Sequence, residues 1–230
     1  MKKTIALLMI LLMILPLAVS CKAERFSLLY STEADGITYC VRGNGNRPKQ
    51  ILAKRGDKIL WVSKVSVARN LGDLGGNYGL EILDFNFDSR PDVMIPTTAN
   101  GECVSYACWL QNEDGSGYTY SEELSSLCNP KTDAELLAVF GFSKTSLKKT
   151  DKNGVDYMAP TDTTTKYVWR EGNLQPQIRV SLTHYPPESK YCYSVSYYDE
   201  KTGEFNDPDD YWLTPEEYES TDFSFIYYFR

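Results

Sequence analysis

Short runs in which apolar and polar positions alternate fill most of the chain, and turn residues separate them at close intervals. Phe26-Ser27-Leu28-Leu29-Tyr30 and Ile37-Thr38-Tyr39-Cys40-Val41 flank Asp35-Gly36, a pair that suits a two-residue hairpin because both positions tolerate positive φ. Residues 51–53 and 59–67 flank Arg55-Gly56-Asp57 in the same way. Leu80 to Phe87 and Val93-Met94-Ile95 enclose an acidic loop, and Trp109-Leu110 and Tyr118-Thr119-Tyr120 enclose residues 112–115. Tyr167-Val168-Trp169 and Leu174 to Leu182 flank Glu171-Gly172-Asn173, and Tyr191 to Tyr198 meets Phe205 across residues 199–204. A period of two over such short runs marks strands with one buried face. The pattern predicts a mostly β, antiparallel domain, β-propeller-like or barrel-like, with one or two short helices.

Two helical signals stand out. Thr132-Asp133-Ala134-Glu135 has capping-box spacing ahead of Leu136, Leu137, Val139 and Phe140, with Gly141 as a stop, and predicts a helix there. Thr214-Pro215-Glu216-Glu217 combines a cap, a first-turn proline and acids at the positive end of the dipole. Residues 148–165 are polar, contain Asn153-Gly154 and Pro160, and read as a long loop. No stretch resembles an interdomain linker.

The N-terminus has a different pattern. Lys2-Lys3 precedes an apolar run from Ile5 to Val19 that ends at Ser20-Cys21, the layout of a secretory signal peptide and too short for a spanning helix. Residues 1–20 are therefore expected to be a signal peptide, with residues 21–230 forming one mostly β domain. Leu17-Ala18-Val19-Ser20-Cys21 resembles a bacterial lipobox, although Ala18 stands where Leu is commoner. On that likeness Cys21 takes a lipid, residues 21–25 serve as a tether, and the domain sits on the periplasmic side of a bacterial cell envelope. An ordinary signal peptide leaving Cys21 as a thiol is the alternative.

The chain is acidic, with 24 Lys and Arg against 31 Asp and Glu, and has no basic cluster. It is therefore not expected to bind nucleic acid, whose counterions need basic groups to replace them. Ten of the acids lie in residues 199–230, against Lys201 and Arg230 alone; such a segment either is a solvated surface or attracts a basic partner. With Cys21 lipidated, Cys40, Cys103, Cys108, Cys128 and Cys192 remain, so two bridges and a free thiol are expected in an oxidising compartment. Cys103 with Cys108, or Cys128 or Cys40 with Cys192, are open pairings. Zinc is a poor rival, because His184 is the only His and the thiols are not closely paired.

The acidic loop runs from Asp84 to Asp92. Asp84, Asn86, Asp88 and Asp92 stand at positions 1, 3, 5 and 9, and the Arg90 carbonyl at position 7 adds a main-chain oxygen. Calcium is a hard cation that takes six to eight oxygens, so these five residues are the expected ligands of a structural Ca2+. Ser89 stands where such loops usually have Gly, and Ile95 stands where an EF-hand has Glu. The competing reading is an acidic turn whose side chains bond their own backbone.

Asp84-Phe85-Asn86-Phe87-Asp88 with Pro91-Asp92 resembles the calcium loop of integrin-type propeller repeats. In order of features, the loop, the Cys108-Trp109-Leu110 hairpin to Tyr120, the segment Tyr167-Val168-Trp169-Arg170-Glu171-Gly172-Asn173-Leu174 and residues 197–205 are similar to a family of secreted bacterial lipoproteins. That family has a β-propeller-like fold, and its characterised members are immunity proteins that plug lysozyme-like effectors delivered by type IV secretion. The resemblance implies a calcium-binding envelope lipoprotein that binds a protein partner, a peptidoglycan hydrolase, and inhibits it by occlusion. No residue of the inhibitory loop can be carried over.

The sequence does not read as an enzyme. It has no G-x-S-x-G elbow or metalloprotease motif, and His184 beside Tyr185-Pro186-Pro187 is read as a turn residue. A carboxylate-pair glycosidase would leave no local pattern, and Trp61, Trp109, Trp169 and Trp212 are able to stack sugars. A carbohydrate-binding or carbohydrate-processing envelope protein is accordingly the alternative.

Overall fold

The computed structural model describes residues 26–221; the expected signal peptide, the expected tether and Cys21 lie outside the described residues. Three antiparallel sheets follow one another along the chain. The first is a meander of β1 (Ser27–Ala34), β2 (Ile37–Asn44), β3 (Arg47–Arg55) and β4 (Lys58–Lys64). The second is a meander of β5 (Glu81–Leu83), β6 (Asp92–Asn100), β7 (Cys103–Gln111) and β8 (Tyr118–Tyr120). The third runs through β9 (Lys131–Asp133), β10 (Ala138–Thr150), β11 (Asp156–Arg170), β12 (Asn173–Tyr185) and β13 (Lys190–Asp199). Its last members, β14 (Glu204–Phe205) and β15 (Asp209–Leu213), both pair with β13. The fold is thus mostly β and antiparallel, as the alternation predicts, and among the described residues no closed barrel forms.

The turn signals do what their φ requirements dictate. Ala34 pairs with Ile37 across Asp35-Gly36, at φ 50° and 69°, and Arg170 pairs with Asn173 across Glu171-Gly172, at φ 50° and 79°. Both are left-handed pairs, the backbone that matches the twist of the flanking strands.

The second sheet is buried on both faces, which explains the unbroken apolar run Val93-Met94-Ile95. Val93, Ile95, Ala107 and Trp109 face the first sheet and pack with Ile37, Tyr39, Val41 and Ile51. Met94 and Cys108, on the opposite face, pack with Phe85, Leu124, Leu127, Val139 and Leu174 toward the third sheet. Alternation thus sends successive side chains into two separate cores. The hydroxyls of Tyr39 and Tyr118 satisfy one another at 2.6 Å inside the first core.

The helices are α1 (Glu122–Ser125), whose cap Ser121 accepts from the Leu124 amide, and α2 (Pro215–Ser220). The second carries the capping box read from its sequence: Glu217 N donates to Thr214 Oγ1, and Thr214 N donates to Glu217 Oε2. The helix expected after Thr132 does not form. Asp133 accepts the Glu135 and Leu136 amides in a turn, and Ala138, Val139 and Phe140 pair with both β9 and β11. Two-sided strand pairing and burial in the second core outweigh a local cap.

Residues 148–165 are not a loop either. The β10–β11 pairing continues to Thr150 opposite Asp156, whereas β12 pairs with β11 only from Thr161 onward. Residues 148–158, with Leu147 at its base opposite the buried Ala159, therefore form a two-stranded ribbon extending past β12, about 10 Å long at roughly 3.3 Å per residue. Asp151 closes its tip by accepting the Asn153 and Val155 amides. Leu147, Val155 and Met158 lie exposed along it.

Of the cysteines among the described residues, Cys103 and Cys128 are bridged, while Cys40, Cys108 and Cys192 are free and buried. The expectation of a second bridge is corrected. Cys103 and Cys108 occupy one strand five positions apart, so they point to opposite faces about 17 Å from each other. The bridge instead joins the start of β7 to the segment leading into the third sheet.

Candidate functional site

The acidic loop connects β5 to β6 where the second and third sheets meet. Asp84 Oδ1 accepts the Asp88 amide at 3.0 Å and Oδ2 the Ser89 amide at 2.8 Å. Asp88 Oδ1 accepts the Arg90 amide at 2.9 Å. Its Oδ2 takes Asn86 Nδ2 at 2.6 Å and the Arg90 guanidinium at 2.5 Å. Phe87 and Ser89 sit at φ 60° and 66°, so Ser89 adopts the left-handed backbone that Gly would take more cheaply.

Asp92 has a different place. It is fully buried at the start of β6, where Oδ2 accepts the Phe85 amide and Oδ1 the Gln111 amide, both at 2.8 Å. Burial pushes its carboxyl up to about 7; the two amides oppose that rise, and the charges of Asp88 and Asp84 add to it. Asp92 thereby ties the loop to the end of β7. Trp169 of β11 ties it to the third sheet, its Nε1 donating to the Phe85 carbonyl at 2.7 Å. The sequence pattern marked Asp92 and Trp169 but gave no sign of these long-range bonds.

The structure thus brings Asp84, Asn86, Asp88 and Arg90 into one network, with Asp92 beside it and pointed inward. Among the described residues no three His, Cys, Asp or Glu side chains converge as a ready metal cluster. Every carboxylate oxygen of the loop already holds a donor, whereas Asn86 Oδ1 is shielded from solvent and has none. The donor chemistry fits a hard cation on two counts. Each oxygen of Asp84 and Asp92 keeps a second lone pair beyond its amide bond, and Asn86 Oδ1 is a buried acceptor without a donor.

A second cluster lies at the β13–β15 edge of the third sheet. His184 stacks on Tyr191 with centroids 4.6 Å apart, and Tyr191 stacks on Tyr218 of α2 at 3.9 Å. Register pairs His184 with Tyr191 and Tyr191 with Leu213, so His184 is a strand residue in a ring stack and not a turn residue. Tyr193 stacks on Tyr211 at 4.6 Å on the same face, and Tyr185 meets Trp212 on the other. Tyr197, Tyr211 and Trp212 are about half exposed, at 46%, 46% and 53%. Asp207, Asp209, Asp210, Glu216, Glu217 and Glu219 stand close to these rings in the sequence. The second sheet packs on the third through β7 against β10 and α1 against β12, away from this edge.

The tryptophans divide unevenly. Trp61 and Trp109 meet edge to face, with centroids 5.2 Å apart, in the first core, and Trp169 packs on the second. That leaves Trp212 as the strongly exposed indole. Among the described residues no helix is long and apolar enough to cross a membrane.

No protein-family model matches the chain, and no curated protein matches it. Among solved structures it is similar to one described as the structure of a Xanthomonas type IV secretion system related protein. The identity is 14% and the TM-score 0.48, with 77% of this chain and 84% of that one covered.

Proposed function

We propose that this domain is an exported protein-binding module that receives a basic protein at the aromatic, acid-bordered edge of its third sheet. The observation that carries this reading is the set of Tyr191, Tyr193, Tyr211 and Tyr218 rings held in stacks beside Asp209 and Asp210, with half-exposed Trp212 tilted against Tyr185 on the other face of the same edge. Rigid aromatic rings lose little conformational entropy on contact and dominate the energetics of protein interfaces. The neighbouring carboxylates raise the encounter rate with a cationic surface. A peptidoglycan hydrolase is the partner implied by the motif resemblance, and the β10–β11 ribbon is a projecting element suited to entering a cleft.

A structural Ca2+ held by Asp84, Asn86, Asp88, Asp92 and the Arg90 carbonyl belongs to the same proposal. The orphaned Asn86 oxygen and the spare lone pairs of the carboxylates support it. Calcium would supply charge neutralisation at the joint between two sheets and no chemistry. For Asp88 to serve as a ligand, the Arg90 guanidinium must release it.

Titration of the purified protein into a panel of lysozyme-like hydrolases, with residual hydrolysis and heat of binding as readouts, tests the partner. Binding that weakens when Asp209 and Asp210 become Lys supports the reading. Undiminished hydrolysis and no heat across the panel reject it. A calcium-dependent rise in melting temperature that Asp88→Ala abolishes tests the metal independently, and a wild-type protein indifferent to calcium rejects that part.

A further inference from the structure

A cavity of about 570 Å3 opens between the second and third sheets, lined among others by Glu81, Leu83, Phe85, Tyr106, Lys131 and Phe142. That volume falls within the roughly 300–1,000 Å3 typical of small-ligand sites, which favour junctions between packed units. Phe85, Tyr106 and Phe142 give it aromatic walls. Glu81 and Lys131 supply one charge of each sign. They feel each other without forming an ion pair; the Lys131 ammonium instead lies 5.5 Å from the centroid of the Phe142 ring.

Glu81 is half-buried and, among the described residues, has no hydrogen-bond donor and no ion-pair partner. A carboxylate partly removed from water without a donor is costly and gains most from a charge-assisted bond. Desolvation raises its pKa, with Lys131 drawing it back, and the Tyr106 hydroxyl is raised by burial and by Glu81. Acid, base and rings thus face one space without saturating one another. A purely cationic ligand would meet Lys131, and a purely anionic one would meet Glu81. A ligand carrying both charges meets neither repulsion.

We propose that this cavity binds a small zwitterion with an apolar body, of the amino-acid or short-peptide type. Glu81 takes the ammonium, Lys131 takes the carboxylate, and Phe85, Tyr106 and Phe142 enclose the apolar part. An ammonium beside these rings is favoured further by their quadrupoles. This site is independent of the protein-binding edge.

Calorimetric titration of the purified protein tests it, with phenylalanine and leucyl-leucine as zwitterions and phenethylamine and 3-phenylpropionate as single-charge controls. At least one zwitterion is expected to bind, each control about tenfold more weakly or worse. The preference between amino acid and dipeptide reports the charge spacing the cavity accepts. Glu81→Gln and Lys131→Met should each weaken the zwitterion by about tenfold, with melting curves confirming that both variants fold. Absence of heat with both zwitterions at millimolar concentration overturns the proposal. So does equal binding of the controls, or wild-type affinity in either folded variant.

Discussion

Replacing Asp92 by Ala probes the joint between the second and third sheets directly. The side chain is fully buried, and its two oxygens are the acceptors of the Phe85 and Gln111 amides at 2.8 Å. Truncation leaves two buried N–H groups unpaired, each costing about 1–3 kcal/mol. The gross loss is thus roughly 2–6 kcal/mol. Against it stands the relief of a carboxyl that burial disfavours in its charged form, pushed up to about 7. The net expectation lies in the lower half of the range, about 3 kcal/mol, a large share of the roughly 5–15 kcal/mol that holds a domain folded. Urea unfolding in EDTA measures it without any contribution from calcium. At a slope of about 2 kcal/mol/M, the midpoint should fall by about 1.5 M. Asp92→Asn keeps one acceptor oxygen and should lose less. A change below about 0.5 kcal/mol in Asp92→Ala, the size of an ordinary surface substitution, would mean that the two amides find other partners and that Asp92 does not tie the loop to β7.

Three further outcomes follow from the geometry. Converting both Cys103 and Cys128 to Ser opens a bridge with a sequence separation of 25 and should cost about 3.5 kcal/mol by loop entropy; unchanged stability in non-reducing urea titration would refute it. Tyr39→Phe and Tyr118→Phe each orphan a buried hydroxyl and should cost about 1–3 kcal/mol, while the double variant costs clearly less than the sum; simple additivity in the same titration counts against the shared bond. At the ribbon tip the Val155 amide, joined by that of Asn153 and opposed by desolvation, holds the Asp151 carboxyl below its usual range. A lowered folded pKa means that stabilisation is complete above the unfolded value of about 3.9 and is lost as pH falls through the folded one. Hydrogen-exchange protection of the Val155 amide should therefore decline in acid, and protection independent of pH would contradict this.

Much of the molecule was legible in the chain because the signals were local. Asp35-Gly36 and Glu171-Gly172 close hairpins wherever they occur between strands, since their backbone preference needs no distant partner. Thr214 to Glu217 caps a helix for the same reason. Positions 84–89 also fold on themselves, and the left-handed turn at Ser89 follows from the loop's spacing. Alternation fixed the strand class, whereas the burial of the second sheet on both faces, along Val93-Met94-Ile95, appears only in the tertiary structure.

What pairing and burial decide was not legible. Thr132 to Glu135 carry a helix cap, yet residues 134–137 turn and residues 138–140 become strand, because β9 and β11 offer hydrogen bonds on both sides and a core to enter. The polar stretch 148–165 lacks any apolar period; its residues 161–165 pair with β12 inside the sheet, and the part before them extends as a ribbon because β10 and β11 continue their ladder. Cysteine connectivity, the inward turn of Asp92 and the meeting of Glu81 with Lys131 each join segments far apart in sequence. Local composition fixes which backbone conformations are cheap at each residue. The tertiary structure alone decides which of them gain partners, because desolvation and hydrogen bonding act between groups that only the fold brings within reach.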